Sequence, residues 1–146
     1  MARRNAVPSG PAVVDSSCWL EVFDGGARAT LFEPAVARPQ GLIVPIITVY
    51  EVYKYLLRVK GETAATRAAH YMQQGRVIEI DWAVTLAAAG NGLPMADSLI
   101  YATAQAHGAI LWTQDAHFQN LAGVRYFAMQ PKPVPSARSG ARGKAA

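Results

Sequence analysis

Four carboxylates stand where an alternating strand–helix chain would gather its functional groups: Asp15, Glu51, Asp97 and Asp115. Each one ends a short apolar run or opens a helical one. Hydroxyls accompany two of them, Ser17 in Asp15-Ser16-Ser17 and Thr113 in Thr113-Gln114-Asp115. Taken singly, every acid can be a helix cap. Asp15 precedes two serines, and Asp115 precedes the run "AHFQNL", both normal cap positions. Thr48-Val49-Tyr50-Glu51 matches a capping box, in which the glutamate reaches back to the cap. Asp97 follows Pro94 by three residues, where a negative charge answers the helix dipole. Taken jointly, the acids are harder to explain as caps. Carboxylates gathered at one edge repel one another and lose solvation, and Ser, Thr or Asn would cap without that cost. A hard divalent cation removes it. Mg²⁺ takes oxygen ligands at ~2.0–2.1 Å, keeps several waters and binds only one or two carboxylates directly. Ser17 and Thr113 are then placed to orient waters or a phosphate.

Other chemistries are poorly supplied. No His or Cys pair has zinc-ligand spacing. His70, His107 and His117 read as structural or surface residues. Cys18, the single cysteine, permits no internal disulfide and reads as a small core residue. Gly90-Asn91-Gly92 is a turn and not a phosphate loop.

The elements that must position the acids follow from apolar patterning. Residues 12–15, 42–45, 77–80 and 109–113 read as strands, and "VRYFAM" (124–129) as a last one. Helices are expected at "SSCWLEVFDGG" ending at Gly25-Gly26, at "ITVYEVYKYLLRVK" up to Gly61, at "ETAATRAAHYMQQ" up to Gly75, at "AVTLAAA" before Gly90, and after Leu93-Pro94 up to His107-Gly108, with Asp97 one turn inside. "ATLFEPAVARPQG" reads as helical but interrupted near Pro34, and "AHFQNLAG" as a short helix. Alternation of strand and helix implies an α/β fold with a mostly parallel sheet of about five strands, flanked by helices in three layers. Ligands of such sheets sit beyond the carboxyl ends of the strands, which is where all four acids fall.

The chain has 146 residues, 51% hydrophobic and 16% charged, which suits a single packed domain. No apolar run approaches the ~20 residues of a membrane span, and "MARRNAVPSGP" lacks the apolar stretch of a signal peptide. The formal charge of +4 belongs to the ends of the chain. Arg3, Arg4, Lys132, Arg138, Arg142 and Lys144 lie in residues 1–11 and 131–146, which hold no acid, so the rest of the chain is slightly acidic. The basic pI is therefore no argument by itself for nucleic-acid binding. The expected organisation is a flexible extension (1–11), a folded domain (12–130) and a flexible basic tail (131–146).

The stretches "VVDSSCWLE", "ITVYEVYKYL" and "LPMADSLIYATAQAHGAILWTQDAHF" resemble the PIN domain, and specifically the VapC-type toxins of bacterial type II toxin–antitoxin pairs. The third is the most specific: Asp97 opening a helix of small residues, then Gly108, an apolar strand, Thr113, Asp115 and Phe118. The resemblance covers about residues 12 to 128. It implies a PIN-like fold and a cytoplasmic, Mg²⁺- or Mn²⁺-dependent endoribonuclease. Asp15, Glu51, Asp97 and Asp115 match the acidic quartet, Thr113 the polar active-site position and Ser17 the hydroxyl after the first acid. Asp15, Asp97 and Asp115 are expected to hold the metal directly or through water, with Glu51 in the outer shell or at a second ion. The resemblance also implies an RNA substrate, a homodimer, a cognate antitoxin that blocks the site, and DNA contact only through that antitoxin. Two features depart from the family: eleven residues precede the first strand, and the basic tail is long.

An acidic site repels RNA, and Arg28, Arg38, Lys54 and Arg58 are candidates to offset it. Two rival readings remain at this point. A noncatalytic PIN-like scaffold would only bind RNA or a partner. A receiver-like signalling domain would use Asp15, Asp81, Thr113 and Lys132, but it leaves Glu51, Asp97 and Asp115 without a role.

Overall fold

The apolar runs expected as strands form five short strands, every one paired in parallel. A computed structural model describes residues 8–129. In chain order these hold β1 (Ala12–Val14), α1 (Ser16–Phe23), α2 (Ala29–Val36), β2 (Ile43–Pro45), α3 (Ile46–Lys60), α4 (Glu62–Met72) and β3 (Arg76–Ile78). Then come α5 (Trp82–Gly90), α6 (Met95–Ala106), β4 (Ile110–Thr113) and β5 (Val124–Tyr126). Two 3₁₀ turns, Pro39–Gly41 and Ala116–Phe118, complete the set. The sheet is built from two parts, β1-β4-β5 and β2-β3, joined by a parallel bridge between Ala12 and Leu42. The spatial order is thus β3-β2-β1-β4-β5. The chain leaves β1 for one side and returns on the other, so the switch point lies between β1 and β4.

Alternation along the strands divides the interior in two. Ala12, Val14, Leu42, Val44 and Trp112 face a core shared with Cys18, Trp19, Phe32, Val52, Leu56 and Met72 of α1 to α4. Val13, Ile43 and Leu111 face the other way, onto Ile100, Tyr101 and Ala104 of α6 and onto Phe118. Both sheet faces are therefore covered, as parallel strands require. No helix among the described residues is long and apolar enough to cross a membrane. Lys132 and the other basic residues of the tail lie outside the described residues, as do Arg3 and Arg4.

Two local expectations need correction. α2 runs through Pro34 without a break. Proline removes one backbone donor, but Phe32, Ala35 and Val36 are buried around it, and Ala37 N still bonds Glu33 O at 2.8 Å. Packing outweighs one missing bond. The capping box at Thr48–Glu51 does not form either. α3 starts earlier, at Ile46 after Pro45, so Thr48 sits inside the helix, fully buried, with its hydroxyl unpaired. Glu51 is then too far into α3 to reach a cap. At the end of α6, Gly108 adopts φ +59, and Ala109 N closes back on Ala104 O at 2.9 Å. That left-handed residue lets the chain turn directly into β4.

Candidate active site

Asp15 is the first residue beyond β1, and its N–H continues the pairing with β4 by donating to Trp112 O at 2.9 Å. Only 3% of it is exposed. Oδ1 accepts from Ser16 N at 2.8 Å, and Oδ2 accepts from Thr113 Oγ1 at 2.8 Å and Ser17 Oγ at 3.2 Å. Burial pushes its pKa from 3.8 up to about 6; these hydrogen bonds oppose the rise and the Glu51 charge adds to it. Thr113, fully buried at the end of β4, has a second task. Its Oγ1 accepts from Asp115 N at 3.0 Å, so one hydroxyl ties the Asp15 side chain to the Asp115 backbone.

Glu51 projects from the second turn of α3 toward the same point. Ser16 Oγ donates to its Oε1 at 2.9 Å. Its pKa is raised first by partial burial, then by the charges of Asp97 and Asp115, against the Ser16 bond. Asp97, in the first turn of α6, is raised by burial and by Asp115 and Asp15, with His117 pulling the other way. Asp115 caps the 3₁₀ turn by accepting from His117 N at 2.9 Å. The His117 ring returns over the same acids: its Nδ1 lies 3.0 Å from Asp97 Oδ2 and 3.1 Å from Asp115 Oδ1.

The structure thus brings together all six residues singled out from the sequence, Asp15, Ser17, Glu51, Asp97, Thr113 and Asp115, and adds two more. Ser16, rather than Ser17, links the first acid to Glu51. His117, expected on the surface as a bystander, bridges two acids. In the sequence each shows only its nearness to an acid, which does not by itself mark a site residue. Ser16 heads α1 beside Asp15, and His117 follows a turn-capping acid by two residues, so its ring can fold back over that acid.

Residues outside the cluster have structural work. Asp81 caps α5, accepting from Val84 N at 2.8 Å, which is no place for a phospho-acceptor. Asp24 pairs with Lys60 at 3.0 Å. His107 bonds Thr103 O through Nδ1 at 3.0 Å, as a helix-end histidine should. Cys18 is buried, and its thiol is pushed up by that burial and by the Asp15 charge, so it is inert. Of the basic candidates, Arg28 is committed to Phe127 O and Ala128 O. Arg38 lines a separate depression with Pro8, Ser9 and Gly10. Lys54 and Arg58 line one groove with Tyr50, Tyr55 and Glu51.

The donor set is chemically coherent. Carboxylates raised by burial and by one another's charge are what a hard divalent ion relieves, and hydroxyls rather than other cations hold the deepest of them. A parallel sheet with such a cluster at its switch point defines a class of α/β proteins with an acidic site beyond the strand ends. The family follows from the sequence: residues 12–124 match the profile of the PIN domain, and the chain belongs to that family. A comparison with curated proteins finds no match.

Among solved structures, a toxin–antitoxin complex from Klebsiella pneumoniae superposes with a TM-score of 0.66 at 23% identity, covering 78% of this chain and 95% of that one. Mycobacterium tuberculosis VapC20, a toxin that cleaves the sarcin–ricin loop, gives 0.65 at 19% identity, covering 82% and 99%. VapBC2 from Rickettsia felis, bound to a DNA fragment from its promoter, gives 0.62 at 12%, covering 80% and 97%. At these identities the likeness is one of fold.

Proposed function

We propose that this chain is a Mg²⁺- or Mn²⁺-dependent endoribonuclease acting as the toxin of a type II toxin–antitoxin pair. The observation that carries the reading is the convergence of Asp15, Glu51, Asp97 and Asp115, with the innermost acid raised to about 6. Asp97 and Asp115 would hold the ion directly and Asp15 directly or through water, with Glu51 bound through water or at a second ion. A bound ion lowers the pKa of its water and neutralises charge on the phosphate oxygens. Thr113 and Ser17 keep Asp15 oriented, and Ser16 keeps Glu51 turned inward. One carboxylate takes the proton of the attacking water. Lys54 and Arg58, sharing a groove with Glu51, offset the negative site for the approaching RNA backbone.

Residues 12–130 make up the nuclease domain, with basic segments on either side. The cognate antitoxin is a protein partner, by analogy with the Klebsiella and Rickettsia complexes, and DNA is met through it. Trp82 and Leu86 of α5 and Met95 of α6 are exposed apolar residues, which favours a homodimer. The cytoplasm is the compartment such a role requires. No feature of the site favours a noncatalytic scaffold.

The test is cleavage of a pool of cellular RNA with Mn²⁺ or Mg²⁺ by the protein and by Asp97→Asn. Asparagine preserves the helix start and removes the charge. Activity should fall by on the order of 100-fold or more, with circular dichroism unchanged. Equal cleavage by the two proteins refutes the site.

A further inference from the structure

His117 does more than face the acids. Its Nδ1 stands almost equally far from Asp97 Oδ2 and Asp115 Oδ1, at 3.0 and 3.1 Å. Two donors at right angles around an ion with bonds of ~2.1 Å are themselves about 3.0 Å apart. The two separations are ordinary hydrogen-bond lengths, and they also match adjacent corners of an octahedron. Asp97, Asp115 and His117 each offer one such atom, all mutually within 4.8 Å. Nδ1 thus faces both carboxylates at contact distance. A cation can seat among the three donor atoms as they stand.

The ring is also placed by the fold and not by chance. His117 N–H is anchored on Asp115 Oδ1 at 2.9 Å, and the next residue, Phe118, is fully buried and plugs the turn into the α6 core. The outer part of the imidazole remains in solvent, with the side chain 58% exposed.

We propose that His117 is a nitrogen ligand of the cation held by Asp97 and Asp115, and that it makes this centre select Mn²⁺ and related transition ions over Mg²⁺. The inference rests on the metal-dependent reading above. An imidazole gains little from Mg²⁺, which is hard and holds its waters. It binds first-row transition ions well, and the gain rises along the series from Mn²⁺ to Cu²⁺. An all-carboxylate site would discriminate far less between the two.

The experiment is calorimetric titration of Mn²⁺ and of Mg²⁺ into the full chain, into His117→Ala and into Asp97→Asn, with circular dichroism as the control for folding. Pulsed electron paramagnetic resonance of the Mn²⁺-loaded proteins then reads nitrogen coupling directly. The expected result is ¹⁴N modulation in the parent protein that vanishes in His117→Ala. The Mn²⁺ dissociation constant should rise at least tenfold in that variant, and the Mg²⁺ constant by less than about threefold. His70 and His107 are unchanged in the variant and serve as internal controls. Unaltered Mn²⁺ affinity with unaltered ¹⁴N coupling in His117→Ala overturns the assignment, even if Asp97→Asn binds no ion. Equal losses of Mn²⁺ and Mg²⁺ affinity overturn the selectivity. Binding of neither ion to the parent protein overturns the metal-dependent reading itself, and this inference with it.

Discussion

Replacing Asp15 by asparagine should make the metal-free protein more stable at neutral pH and above, and less stable in acid. The folded-state pKa of about 6 lies above the ordinary 3.8, so the native state keeps the proton longer than the unfolded chain does. Stability must then fall as pH rises from about 4 to 6, and it stays low above that. The shift corresponds to about 3 kcal/mol against the native state at pH 8, shrinking to about 0.5 kcal/mol at pH 4. Asparagine escapes that charge cost. Its Oδ1 can still accept from Ser16 N, and the hydroxyls of Ser17 and Thr113 can turn to accept from Nδ2. Trading charge-assisted bonds for neutral ones costs about 1 kcal/mol. The net expectation is a gain of about 2 kcal/mol at pH 8, a rise in Tm of about 6 °C, and a small loss at pH 4. Differential scanning calorimetry of both proteins, with chelator present, across pH 4 to 8 measures it. Added Mn²⁺ should then raise the Tm of the parent protein and leave the variant's nearly fixed. A Tm difference that does not vary with pH would show that burial of the Asp15 charge is not what shapes the site.

Three further substitutions separate positioning from packing. Ser16→Ala frees Glu51 from its hydroxyl anchor, so RNA cleavage should drop about tenfold with an unchanged circular dichroism spectrum. Phe118→Ala empties a fully buried site beneath the turn that carries Asp115 and His117; urea unfolding should show a loss of about 3–5 kcal/mol, and Mn²⁺ affinity should weaken with it. Gly75→Ala would put a Cβ 2.7 Å from Val44 Cγ2 and 2.9 Å from the Pro39 carbonyl oxygen, so thermal or urea unfolding should report a loss of about 1–3 kcal/mol.

The strand–helix alternation was legible because both of its signals are local. The strands are apolar runs bounded by Pro, Gly or acids, and parallel strands covered on both faces show as such runs. What patterning could not show was which packing force would win at a given residue. Pro34 reads as an interruption, yet Phe32, Ala35 and Val36 bury their side chains and carry α2 past it. Thr48 and Glu51 have capping-box spacing, yet Pro45 starts α3 three residues too early for that box. In each case the decisive contact lies far along the chain or on the other side of a helix. The same holds for Ser16 and His117. Nothing local distinguishes Ser16 from Ser17 until Glu51, 35 residues away, accepts the hydrogen bond. His117 acquires meaning only when α6 brings Asp97 to within 3.0 Å.

The sequence also posed cap and ligand as alternatives, and at two of the four acids they are not. Asp15 accepts from the first amide of α1 and Asp115 from an amide of the 3₁₀ turn. Those backbone bonds fix each carboxylate in one rotamer, and a fixed carboxylate is what a cation site needs. Capping is therefore how the site is pre-organised at Asp15 and Asp115. Glu51 and Asp97 are different. Neither side chain caps its helix; Glu51 is held by Ser16 and Asp97 by His117. Burial and neighbouring acids raise both, so without a counter-ion each costs stability and returns no backbone bond. Conversion of Asp15 or Asp115 to asparagine weakens a charge-assisted cap bond and removes a charged ligand together, so lost activity there has two explanations. At Asp97 no backbone bond is lost, only the interaction with the helix dipole, worth about 0.3–1 kcal/mol, and the ionic contact with the exposed His117 ring. A collapse of metal binding in Asp97→Asn can then only mean that this carboxylate is a corner of the site.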